Sequence, residues 1–186
     1  MRRLEAEEVR DSLLAVNGSM NLKMGGPSIY TTMPKEVLAG QSRPGDGWGN
    51  STLEEQCRRS VYVFVKRSLA VPMIASFDGP ETDYSCPVRF ATTQPTQALG
   101  TLNSAFINQQ SKVFADYLRK YAGEDTVADV RLALWRTLQR EPTQREVDRG
   151  LRLMSNLEQK YNLSRELALV RFCTVALNLN EFLYLD

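Results

Sequence analysis

The chain has 186 residues, of which 42% are hydrophobic and 24% charged; that suffices for one domain with a real core and argues against wholesale disorder. Its 23 Lys and Arg balance 22 Asp and Glu, so no electrostatic footprint points to nucleic acid or an anionic membrane. It contains no histidine, which removes Ser-His-Asp and Cys-His nucleophilic systems, histidine zinc sites, an imidazole general base and the C-x-x-C-H haem motif.

The first segment, MRRLEAEEVRDSLLAV, lacks the apolar core of a signal peptide. It reads as a helix, with Ala6, Val9, Leu13 and Val16 at helical spacing. It offers no N-cap residue, and Arg2 and Arg3 sit where the helix dipole disfavours cations. So abrupt a start suggests excision from a longer parent protein. Asn17-Gly18 is a natural stop. A long irregular segment follows, about 19–50, punctuated by MGGPS and RPGDGWGN, with one short turn at Val37 and Leu38. Loops this long are commonly functional or packed over a domain.

Ser51 and Thr52, three residues ahead of Glu54 and Glu55, form overlapping capping boxes for a short helix from Leu53 to about Arg59. VYVFV, Val61 to Val65, predicts a strand, and VRFAT, Val88 to Thr92, a second. One helical turn is expected near Met73 to Phe77. From Pro95 the pattern is helical: a first helix over about 95–122, with Leu99, Leu102, Phe106, Val113, Tyr117 and Tyr121 on its buried stripe; a second over about 126–140, using Val127, Val130, Leu134 and Leu138; a third opening at Thr143 with Glu146 completing a capping box and burying Val147, Leu151, Met154 and Leu157; and a fourth over about 164–183, apolar nearly all round and therefore central. The apolar C-terminus, NEFLYLD, should dock on the core. No stretch reaches the ~20 apolar residues of a spanning helix.

The expected fold is mainly α: a C-terminal bundle of about four helices plus the N-terminal helix, a small two-stranded β element and a long irregular loop. One domain, 1–186, would comprise an irregular, β-containing lobe (1–94) and a helical lobe (95–186).

Several residues invite a functional reading beside a structural one. The glycine-rich GDGWGN lacks the P-loop pattern and reads as a turn. Trp48 within it is either a stacking platform for a sugar or peptide, or a pin for its loop. Asp78, Glu81 and Asp83 group three carboxylates but lack the spacing of a calcium loop. Arg58, Arg59, Lys66, Arg67 and Arg89 flank the two expected strands. They suit a carboxylate or sulfate, or else ion pairs with snorkelled stems. Strand alternation would put Arg59 and Arg67 on the face of Val61, Val63 and Val65. Cys86 has Arg89 nearby to activate a thiolate, but an antiparallel ribbon would hold Cys57 and Cys86 too far apart for a disulfide, so Cys57, Cys86 and Cys173 are expected free. The candidate ligand-binding set is Trp48, Lys66, Arg67, Asp78 and Arg89, with no catalytic residue, metal or cofactor assigned.

Six ordered blocks, RLEAEEVRDSLLAVNG, MGGPS, RRSVYVFVKRSLAVPMIASFD, SCPVRFATTQPTQALGTLNS, REPTQREVDR and LNLNEFLYLD, carry a family likeness. The chain closely resembles the domain-of-unknown-function family that forms the C-terminal part of large planctomycete and verrucomicrobial proteins, many with an upstream cytochrome c-like domain. The resemblance implies export to the cell envelope or beyond, a periplasmic or extracellular location, and partners among the upstream domains of the same chain. It supplies no reaction. Three expectations follow: a non-catalytic structural or interaction module with an apolar patch near the first helix; a polysaccharide- or ligand-binding module using Trp48, Tyr30 and Tyr84; or part of an enzyme site shared with an upstream domain through Asp78 or Glu81.

Overall fold

In the computed structural model, which describes residues 2–82, 85–123 and 125–185, the two ends of the chain lie side by side. β1 (Arg2–Arg3) pairs antiparallel with β2 (Tyr184–Leu185), Arg2 opposite Leu185 and Arg3 opposite Tyr184. This is the small two-stranded element, but it is built by the termini and not by either expected strand.

α1 (Ala6–Val16) follows at once. The absence of an N-cap is corrected here: the Glu8 carboxylate accepts the Glu5 N–H at 2.8 Å and caps the helix from within its first turn. Arg2 and Arg3 precede the helix in β1, and carboxylates offset their charge: Arg2 pairs with Glu8 at 3.4 Å and Arg3 with Asp78 at 2.7 Å. At the other end Gly18 adopts φ +74°, and a Cβ there would lie 2.8 Å from the Tyr117 ring. Positive φ and close approach together call for glycine.

The long segment contains α2 (Lys35–Ala39), and Thr52 caps α3 (Leu53–Gln56) by accepting the Glu55 N–H at 3.2 Å. Val61 to Val65 is not a strand. Ser60–Tyr62 forms a 3₁₀ turn because Asp11 of α1 accepts both the N–H and the hydroxyl of Ser60, each at 2.7 Å. What remains of strand character is a single parallel bridge from Ile29 to Val63 and a bridge from Lys66 to Leu69. Val61 and Val65 stay 74% and 68% exposed while Val63 is buried. β-branched side chains favour strands only where a partner edge and a covering layer exist, and Val61–Val65 has a single bridge, through Val63, and an uncovered face at Val61 and Val65. Val88 to Thr92 is likewise irregular, and the ribbon expected to separate Cys57 from Cys86 does not form; all three cysteines are free.

α4 (Pro72–Ser76) matches the expected turn. The single helix expected over 95–122 is two, α5 (Pro95–Asn103) and α6 (Ala105–Ala122), divided at Ser104. Asn103 turns its amide onto Leu99 O at 2.9 Å, and Ser104 takes an extended conformation with its hydroxyl facing the Ile107 N–H. Short polar side chains compete with the helical backbone in this way. The break resets the phase. Ile107, Ser111, Phe114 and Leu118 form the buried stripe, whereas Leu99, Leu102 and Tyr121 are exposed.

α7 (Thr126–Leu138), α8 (Gln144–Tyr161) and α9 (Arg165–Ala176) complete a four-helix bundle with α6. The Thr143–Glu146 capping box is formed. α9 is central, packed on α6, α7 and α8 and burying residues on most of its circumference. It stops at Ala176 instead of reaching Leu183: Asn178 donates to Thr174 O at 2.7 Å, and the chain restarts as α10 (Asn180–Leu183) before β2. α8 approaches closely at Gly150, where a Cβ would lie 2.7 Å from Val130 and 2.9 Å from Phe172. One buried apolar cluster runs from Leu4, Val9 and Leu13 through Phe77 into Phe114, Val130, Met154 and Phe172, joining α1 to the bundle. No helix is long and apolar enough to cross a membrane among the described residues.

Candidate functional site

The irregular half is held by arginines. Arg10, 2% exposed on α1, donates to Arg58 O at 2.9 Å and Ser60 Oγ at 3.2 Å, and also to Gln56 O. Arg58, fully buried, donates to Lys23 O at 3.3 Å, Pro27 O at 3.1 Å and Gly25 O, and its guanidinium lies 3.8 Å over the Tyr62 ring. Arg136 caps the carbonyls of Ala15 and Val16 at the end of α1 and stacks on Tyr117. A rigid fork of donors suits loop carbonyls that no helix or sheet can satisfy.

The five candidate ligand residues fall in two places. Trp48 packs edge-on against Tyr30 and Phe64, with centroids 5.7 and 5.9 Å away, and its Nε1 donates to Thr31 O at 3.1 Å. The ring is half-buried and ties its loop to the 29–31 segment. Lys66 is close by: its Nζ donates to Asp46 O. Between the end of α2 with the loop that follows it to Asp46 and the 66–70 turn lies an open cavity of about 710 Å³, lined by Gln41, Arg43 and Lys66 among others. Arg67 is exposed, and its carbonyl accepts the Thr82 hydroxyl at 3.0 Å.

Asp78 and Arg89 lie instead against the start of the chain. Asp78, in the left-handed region at φ 57°, accepts from Arg3 at 2.7 Å, from the Thr92 N–H at 2.8 Å and from the Thr92 hydroxyl at 2.9 Å. Burial works to raise its carboxyl, but the Thr92 donors and the Arg3 guanidinium outweigh it and hold the group below the ordinary carboxylate value. Arg89 grips Glu7 with both terminal nitrogens, at 2.8 and 2.6 Å, and Glu5 at 2.8 Å. That hydrogen bonding lowers the Glu7 carboxyl and raises the Arg89 guanidinium. The ion pairs expected of these residues are thus present, but with partners more than seventy positions away in the sequence. Asp83 and Tyr84 lie outside the described residues, and among the described residues no three His, Cys, Asp or Glu side chains gather to hold a metal ion.

Asp78 and Arg89 together clamp the stretch between them and α5. Gln97 and Thr101, on one face of α5, are 8% and 3% exposed, and Gln97 donates to Thr92 Oγ1 at 3.2 Å and to Asp78 at 3.4 Å. The apolar side chains face outward: Val88 is 62% exposed, Phe90 79%, Leu99 59% and Leu102 43%. Polarity is inverted here, with amide and hydroxyl inside and hydrocarbon outside. Sequence periodicity assigned Leu99 and Leu102 to the core; the signal that could have corrected it is the i, i+4 pair Gln97 and Thr101 on the opposite face.

A family model with the description "Protein of unknown function (DUF1553)" matches residues 1–154, a range that includes both places and stops short of α9, α10 and β2. No curated protein matches the chain, and no solved structure matches it.

Proposed function

Because the chain belongs to the DUF1553 family, whose description names no reaction, we propose from its surface that it is a non-catalytic interaction module. Residues 88–102 dock against another protein domain. The observation that carries this reading is the inverted polarity of that stretch. Buried Gln97 and Thr101 and the Asp78 clamp prevent it from turning its hydrocarbon inward, so Phe90 and Leu99 remain in water unless a partner covers them. The face is depleted of free charge, as interface centres are; its one cation, Arg89, is neutralised by Glu5 and Glu7.

The patch lies beside the start of α1, and the family resemblance supplies the partner: an upstream domain of the same polypeptide, in an exported envelope protein of planctomycete type that in some members carries a cytochrome c-like domain. Phe90→Ser combined with Leu99→Ser tests this. Both side chains are exposed, so the variant should melt with the wild type. Titrated against the separately produced upstream segment of the parent protein, it should bind at least ~100-fold more weakly, the loss expected for two anchor residues. Equal affinity of variant and wild type, or no binding by either, overturns the reading.

A further inference from the structure

α8 carries a row of cations without carboxylate partners among the described residues. Arg145, Arg149, Arg152 and Lys160 are all exposed, and their spacing gathers them on one face of the helix. Arg145, Arg149 and Lys160 make no hydrogen bond or ion pair among the described residues. Arg152 donates to Asp148 O, one turn back on its own helix, at 3.3 Å. Like charges at i, i+3 and i, i+4 weaken a helix. The carboxylates nearby are committed: Asp148 accepts the Gln144 amide at 2.9 Å, and Glu146 and Glu181 both hold Arg140. Elsewhere on the surface Arg89 and Arg119 each grip two carboxylates.

Arg149 also lines a groove between α7, α8, α9 and α10, about 390 Å³ in volume. Its walls are largely hydrocarbon, with Leu134, Leu138, Leu153, Val175 and Leu179 among them. Val175 is 42% exposed, although α9 is the central helix. Of the three charged residues on the lining, Glu146 and Glu181 are paired with Arg140, and Arg149 alone is unpaired.

We propose that the groove and the row together dock an acidic amphipathic helix of a partner protein. Its apolar side chains enter between Leu153 and Val175. Its carboxylates meet Arg149, then Arg145 and Arg152, over about two turns of α8, ~10 Å at 1.5 Å per residue. This is helix-in-groove recognition, with complementary charge setting the orientation. The row fixes the sign of the partner's charge, and the groove demands hydrocarbon beside it. A sulfated polysaccharide would satisfy the cations and leave the groove wet. A flat bilayer surface would not fill a concave one. The face shares no residue with the 88–102 patch and stands if that reading fails.

Random peptides of roughly 16 residues, ~24 Å as a helix, displayed on phage and selected on the intact chain, test this. Selected peptides that need the groove should carry Asp or Glu beside Leu, Ile or Phe at i, i+3 and i+4. Synthesised singly and titrated, they should bind Arg149→Glu and Val175→Ser at least ~10-fold more weakly than wild type, and wild type more weakly as salt rises. Arg149→Gln should give an intermediate loss, and Phe90→Ser with Leu99→Ser should change nothing. Both groove positions are exposed, so these variants should melt with the wild type. Dextran sulfate and phosphatidylglycerol vesicles serve as competing occupants. The proposal is overturned if no selected peptide depends on both Arg149 and Val175, if those that do lack acidic residues, or if dextran sulfate or the vesicles bind with the same dependence on both.

Discussion

Asp129 carries a carboxylate oxygen with no hydrogen-bond partner inside the bundle, and its other oxygen is 3.9 Å from an Arg165 nitrogen. Burial raises its carboxyl above the ordinary value. A group whose folded pKa is raised favours folding when protonated, and that benefit is lost as pH rises through the folded value. At neutral pH the folded state therefore holds an under-solvated charge. Asp129→Asn is expected to raise the melting temperature at pH 7 by about 2–4 °C, the shift of ~1 kcal/mol at this chain length. The gain should shrink as the pH falls toward 4. Thermal melts across that range check it, and an advantage that grows on acidification would contradict the assignment. Asp129 was not legible in the sequence: one carboxylate among the residues of an amphipathic helix looks solvent-facing, and only the position of α9 makes it buried. The same is true of Arg10 and Arg58, whose charge suggests a surface and whose carbonyl partners come from loops that periodicity cannot place.

At the scale of elements, local rules were legible and handedness of face was not. The Thr143–Glu146 box, the Thr52 cap and the central α9 were written in short-range chemistry, and the structure has them. Val61–Val65 and Val88–Thr92 had strand composition without a partner strand, and partner availability is a property of the whole fold. The α5–α6 stripe failed at one residue, because Ser104 ends one helix and begins another. Arg140 binds both Glu146 and Glu181, tying the start of α8 to α10. The Arg140 guanidinium and then the Thr143 N–H lower the Glu146 carboxyl to about 2, from 4.5. A depressed folded pKa gives stability that is present above the unfolded value and is lost as pH falls through the folded one. Melting temperature should fall between about pH 4.5 and pH 2 for this reason among others, and Arg140→Gln should make that part of the fall shallower by a few degrees. Parallel pH profiles for wild type and Arg140→Gln would show that the network contributes nothing.

For the whole molecule, the ordered bundle and the irregular half are joined by side chains more than by secondary structure. Arg10 reaches from α1 to the 56–60 turn, and Arg58 reaches from that turn to the 23–27 loop, so the two act in series. Arg10→Met keeps the stem and removes the donors. It should cost about 2–4 kcal/mol in urea denaturation, because buried carbonyls lose their charged partner. Hydrogen exchange should quicken across 19–60 while α6 to α9 stay protected; unchanged exchange in the 19–60 segment would refute the series arrangement. The ends of the chain have a different consequence. Arg2 faces Leu185 and Arg3 faces Tyr184, with Cα atoms of such pairs about 5 Å apart. A polypeptide entering at one end therefore leaves beside the point at which it came in. Such a fold can be spliced into a surface loop of a host protein as a guest, and a short linker between the ends should yield a circularised chain with the same bundle.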